Sequence, residues 1–183
     1  CPRHLWFHPN GKWAHINTEY TSTIIACRYD EEQGTLEPFQ VVSALPDDYF
    51  DVNTMTSELV VHPDGKYLYI SNRRVNNLGA FSIDQETGRL TPVGWVPCGG
   101  KKPRFFAIEP GGNYLFKPVQ RHHHPLPNRC GDRRPGGYWE GTGHPHTRLD
   151  AVYRFCPQRG AVRLREVGAE TYENDPLRPG APR

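Results

Sequence analysis

The feature that most restricts what this chain can fold into is that residues 1–116 repeat. His8-Pro9-Asn10-Gly11-Lys12 returns as His62-Pro63-Asp64-Gly65-Lys66, 54 residues further on. The same offset carries Asp30 onto Asp84, Gly34 onto Gly88, Leu36 onto Leu90 and Pro38 onto Pro92. A third copy starts at Pro103, where Glu109-Pro110-Gly111-Gly112-Asn113 follows the second by 47 residues. An insertion around Pro46–Thr54 accounts for the extra length between the first two copies. A repeat of this size is one supersecondary unit, and it buries its apolar face only against a neighbouring copy.

Each unit reads as short strands. A mainly apolar run (Leu5–Phe7, Leu59–Val61, Phe105–Ile108) meets a tight turn in which Pro presets φ and Asn, Asp or Gly tolerates the left-handed region. A second strand follows at Trp13–Ile16, Tyr67–Ile70 and Tyr114–Phe116, and a third at Thr23–Tyr29 and Leu78–Ile83. An Asp-x-x-x-Gly turn then leads to a fourth at Thr35–Val42 and Arg89–Val96. No 3.6-residue period is visible. Four strands per unit of roughly 45–50 residues is the signature of a β-propeller blade. The expected fold is all-β: a partial β-propeller of four-stranded antiparallel blades, about two complete and the start of a third, followed by an irregular tail. A β-sandwich with coincidental turns is the competing architecture.

These residues resemble a known family. Pro2-Arg3-His4 leading into His-Pro-Asn-Gly-Lys, Ser57-Glu58, Ser71-Asn72-Arg73, Phe-Ser-Ile-Asp-x-Glu-Thr-Gly-Arg-Leu over 81–90, and Pro103-Arg104 are similar to the seven-bladed propeller lactonases. That family includes 6-phosphogluconolactonases of propeller type and carboxymuconate-cyclizing enzymes. The resemblance covers about residues 1–116. It implies a fragment of a lactone hydrolase, 6-phosphogluconolactonase-like, acting on a small anionic sugar lactone in carbohydrate metabolism, without cofactor or metal, in the cytoplasm. A carboxy-cis,cis-muconate cyclase and a non-catalytic binding scaffold are the alternatives. Against the scaffold, the Gly-His…Trp-Asp pattern of the common scaffold repeat is absent.

Residues 117–183 differ in kind. Residues 1–116 hold 10 Lys and Arg against 13 Asp and Glu, whereas 117–183 hold 12 against 7. The tail has eleven Arg, one Lys, no Ile and no Ser, and is rich in Pro, Gly and His. Lys117–Arg121 admits codons that read Asn-Gln-Ser-Ser-Val when moved one base forward, and Asn128–Pro135 admits codons that read Ile-Asp-Ala-Gly-Thr-Gly-Ala-Leu, which would restore the repeat. The tail is therefore expected to be frameshifted, disordered or irregular, with the recovery stopping near Leu149. His122–His124, His144, His146, Cys130 and Cys156 match no zinc spacing, so no metal site is expected. The arginines lack the aromatic interleaving of nucleic-acid modules, so no nucleic-acid partner is expected. No apolar run approaches the ~18 residues of a spanning helix, so no membrane is expected either. Five widely spaced cysteines without CxxC suit free thiols in a reducing compartment.

The repeat itself picks out a candidate site. In a propeller the first strand of each blade lines the central channel. The offset of 54 places His4 and Glu58 at the same position of adjacent inner strands, with Arg104 near the equivalent place in the third unit. Catalytic roles are expected of His4, Glu58 and Arg104. A lactone hydrolase needs a base for water, and His4 or Glu58 supplies one; Arg104 and Arg73 present planar guanidinium forks to an anion. Substrate binding is expected of Arg73 and Asn72, the latter either orienting a hydroxyl or capping a turn. The ordinary alternatives are a Glu58–Arg104 ion pair, a capped strand end at His4 and a solvated loop charge at Arg73. His8 and His62 belong to the turns.

Overall fold

The computed structural model describes residues 1–49, 54–118, 149–158 and 161–167. It contains three antiparallel four-stranded sheets. The first runs β1 (Pro2–Phe7), β2 (Trp13–Thr18), β3 (Thr23–Asp30), β4 (Thr35–Ser43) in sequential order. The second repeats this with β5 (Thr56–Val61), β6 (Tyr67–Asn72), β7 (Asn77–Ile83) and β8 (Leu90–Pro97). The third contains β9 (Ala107–Ile108), β10 (Tyr114–Pro118), β11 (Leu149–Gln158) and β12 (Ala161–Val167), again in order. Sheets of this kind, each made of four consecutive strands, are propeller blades.

The second sheet is covered on both faces, which explains why β5 is buried at every position. Alternation along its strands divides the side chains between two cores. Leu59, Val61, Leu68, Ile70, Phe81 and Ile83 pack with Trp13, Ile24, Ala26 and Ala44 of the first sheet. Val60, Tyr69, Leu78 and Ala80 face the other way and pack with Phe106 and Leu115 of the third.

The repeated His-Pro-x-Gly turn is the fastening between blades. His8 Nε2 lies 2.7 Å from the carbonyl oxygen of Gly65, and His62 Nε2 lies 2.9 Å from that of Gly112. Each histidine thus contacts the turn of the following blade. A Cβ at Gly65 would stand 2.8 Å from the His8 ring, and one at Gly112 would stand 2.7 Å from the His62 ring. Both glycines also have φ near +70°, so close approach and backbone conformation both require glycine here.

The third sheet departs from the sequence reading. Two strands of the 117–183 tail complete it, where an irregular segment and only the start of a blade were expected. Leu115 pairs with Tyr153 and Phe116 with Val152; Arg154 pairs with Arg165 and Phe155 with Leu164. The reason is legible in the sequence: Leu149, Ala151, Tyr153 and Phe155 stand at every second position of this segment, a pattern that the overall Arg and Pro surplus of the tail concealed. β10 itself continues through Pro118, two residues into the tail. The off-frame reading of 119–148, with His122–His124, Cys130, His144 and His146, lies outside the described residues.

Candidate functional site

One end of the first two sheets gathers the start of each inner strand and the finish of the next. Pro2 pairs with Thr18 there, and Thr56 with Asn72. At this end both inner strands carry a register shift, between Pro2 and His4 in β1 and between Thr56 and Leu59 in β5. Such bulges re-aim side chains and leave a backbone N–H without its ladder partner. The two blades satisfy it in the same way. His4 N–H donates to Asn17 Oδ1 at 2.9 Å, and Glu58 N–H donates to Ser71 Oγ at 2.9 Å.

The bulges bring the expected pair together. His4 Nδ1 lies 3.4 Å from Glu58 Oε1, with Glu58 buried and the His4 side chain 36% exposed. Burial pushes the Glu58 carboxyl above its usual range, opposed by the positive charge of His4, the Leu59 N–H and Arg3. The partner of Glu58 is thus His4, not Arg104. Arg104 is exposed, and its carbonyl accepts a 2.8 Å hydrogen bond from Ser57 Oγ, beside Glu58.

Arg73 is not a solvated loop charge. Its Nη2 donates to Glu19 Oε1 and, at 3.4 Å, to the Thr56 carbonyl. Arg3 Nη1 donates to the other Glu19 oxygen at 3.1 Å. Held between two guanidinium groups, Arg73 foremost, the Glu19 carboxyl is pulled below its usual range. Sequence reasoning missed Glu19 and left Arg3 in the motif without a role. The signal was available: the offset that pairs His4 with Glu58 also carries Glu19 onto Arg73.

Asn72 does not reach solvent. It is fully buried, and its Nδ2 donates to the Ala44 carbonyl at 2.9 Å and to Asn77 Oδ1 at 2.8 Å. These bonds join the first blade to the second, a structural place that differs from both the hydroxyl-orienting and the turn-capping expectation. Its neighbour Arg73 opens instead onto a cleft of about 670 Å3, lined also by Arg74, Asn76, Lys101, Lys102 and Arg104. Among the described residues no acidic side chain lines this cleft. Among the described residues no cluster of His, Cys, Asp and Glu could hold a metal ion.

The sequence profile described as "Lactonase, 7-bladed beta-propeller" matches residues 1–124. The chain belongs to that family. Among curated lactonase relatives, a 6-phosphogluconolactonase of Bacillus subtilis is 38% identical over 114 residues, covering 62% of this chain and 32% of the relative. A 6-phosphogluconolactonase of Pectobacterium carotovorum is 32% identical over 123 residues, covering 67% of this chain and 36% of the relative. The chain therefore spans about a third of the length of the lactonases it matches. The crystal structure of a periplasmic gluconolactonase of Pseudomonas aeruginosa superposes with a TM-score of 0.67 over 91% of this chain and 39% of that one. At 24% identity it supports the propeller fold alone. Among the described residues no helix is long and apolar enough to cross a membrane.

Proposed function

We propose that the protein carrying this segment hydrolyses a phosphorylated sugar δ-lactone, in the manner of a 6-phosphogluconolactonase. The observation that carries the reading is the contact of His4 with the buried carboxyl of Glu58, beside the linked Arg3, Glu19 and Arg73 at the same end of the sheets. Glu58, made more basic by burial, takes a proton from water as the oxygen attacks the lactone carbonyl carbon. Negative charge then develops on the carbonyl oxygen, and a guanidinium fixed by Glu19 is a preorganised donor for it. The ring C–O bond breaks, and the departing alkoxide takes a proton from His4. Arg73 and Arg104 line the cationic cleft, whose charge suits the substrate's phosphate. The scheme uses neither cofactor nor metal.

The test is kinetic. The full-length protein is expected to open 6-phosphogluconolactone without added metal. Glu58→Gln is expected to lower kcat about a hundredfold with little change in KM. Arg104→Ala is expected to raise KM or lower kcat for the phosphorylated lactone, because water does not replace a guanidinium on an anion at equal strength. A full-length protein that leaves the lactone unopened defeats the assignment.

A further inference from the structure

Two cations of the cleft, Lys101 and Lys102, stand on the loop that follows β8, and this loop is held by a residue with no assigned role. Asn76 adopts the left-handed conformation at φ 58°, which Asn tolerates better than most residues. Its carbonyl accepts the Cys98 N–H at 2.9 Å, and its Oδ1 accepts the Lys102 N–H at 2.7 Å. Its Nδ2 donates to the Arg74 carbonyl at 3.2 Å. Asn76 therefore ties the Lys101–Lys102 loop to the Arg73–Arg74 turn. A second tether comes from inside: buried Lys117 donates from Nζ to the Cys98 carbonyl at 2.6 Å. Lys102 is itself held at φ 52°. An unfavourable φ at a non-glycine residue persists where the surroundings impose it.

The fold does not require these charges. The first blade has the same junction, with Ser22 at φ 50° accepting the Ala44 N–H through its carbonyl at 2.9 Å, just as Asn76 accepts that of Cys98. Past this shared junction the first blade runs into the Pro46–Thr54 insertion and carries no basic pair, whereas the second carries Lys101-Lys102. The basic version alone is clasped through a side chain to the arginine turn: the Ser22 hydroxyl bonds Thr54 Oγ1 at 2.7 Å instead. Charge free of a structural need, held in register with two arginines, is what selection of a dianion requires.

We propose that the Gly99–Lys102 loop selects a phosphorylated over a neutral lactone, and that Asn76 is the positioning residue that sets it. This rests on the hydrolase reading above and names the element that chooses its substrate. The experiment uses the full-length protein with the exposed double variant Lys101→Gln/Lys102→Gln and with Asn76→Gly, which keeps the backbone conformation and removes the side-chain bonds. Inorganic phosphate is titrated by calorimetry at low salt, and kcat and KM are measured for 6-phosphogluconolactone and for glucono-δ-lactone. In both variants phosphate is expected to bind about tenfold more weakly, as for loss of one charge-assisted contact. KM for the phosphorylated lactone is expected to rise in step, with kcat and the neutral lactone unaffected. A merely structural role for Asn76 would impair both lactones alike. That result, or phosphate binding undiminished in the double Gln variant, overturns the proposal. A protein that binds phosphate through this loop yet opens neither lactone defeats the hydrolase reading and leaves the phosphate selection standing.

Discussion

Residues at the same place in successive repeats meet here as partners of opposite character. His4 meets Glu58, and Glu19 meets Arg73, each pair 54 apart. Repetition thus brings complementary groups to one end of the sheets without any local motif. This is also why the first pair was legible in the sequence and the second was not. His4 and Glu58 lie on the inner strands, where chemistry is sought, whereas Glu19 and Arg73 lie just past the second strands. The pKa of Glu58 has a kinetic consequence. Its carboxyl is raised by burial and held down by the neighbouring positive charge of His4. The acid limb of kcat/KM in the full-length protein is therefore expected above the ordinary carboxylate range. His4→Gln is expected to move that limb to still higher pH, since the opposing charge is gone; a limb that moves to lower pH contradicts the pairing. His15 gives a stability prediction. Its ring is fully buried, neither ring nitrogen has a hydrogen-bond partner among the described residues, and burial, assisted by His8, lowers its pKa to about 4. Between pH 6.5 and 4 the unfolded chain binds a proton that the folded chain refuses, so stability is retained above 6.5 and lost as pH falls. Across that window the loss is expected to reach about 3 kcal/mol. Urea midpoints measured against pH in the native protein and in His15→Leu check this, the variant losing that part of the slope.

At the scale of the element, the turns explain more than the strands. Ten strands were close to legible because alternating apolar positions, bounded by Pro-Asn-Gly and Asp-x-x-x-Gly, mark them plainly. The turn motif places its histidines structurally, and His8 and His62 reach across to Gly65 and Gly112 of the following blade. Gly65→Ala combines an unfavourable φ of +73° with a Cβ 2.8 Å from the His8 ring. It is expected to cost about 2 kcal/mol or more, seen as a lower urea midpoint. Gly11→Ala, with comparable φ but open space around the position, is expected to cost less. An equal loss in the two variants removes the fastening from the account. The strands that escaped notice, β11 and β12, carry arginine at alternate positions (Arg154, Arg163, Arg165), so composition argued against them while their alternation argued for them. A window of seven to ten residues decides such a case, and an average over 67 residues obscures it.

The whole molecule is shaped by which faces have neighbours. Leu5 and Phe7 on β1 hold the same repeat positions as Leu59 and Val61 on β5. The second pair is buried between sheets at 0% and 3% exposure, while the first stands exposed at 41% and 47%. The residue types are alike, so the difference lies in the neighbouring sheet. The relatives are about three times as long as the matched segment, and a seven-bladed ring has further sheets with which to cover such a face. Apolar side chains left uncovered on a sheet invite association. Expressed by itself, the 183-residue polypeptide is therefore expected to self-associate and to show no measurable lactonase activity, because inner strands that would complete the walls around His4 and Glu58 are missing. Leu5→Ser/Phe7→Ser is expected to reduce the association without restoring activity, as read by sedimentation velocity and lactone turnover. The full-length ring is expected to be monodisperse with the native residues at both positions. A monodisperse, active 183-residue polypeptide would show that three sheets suffice for the chemistry, and that closure of the ring serves something else.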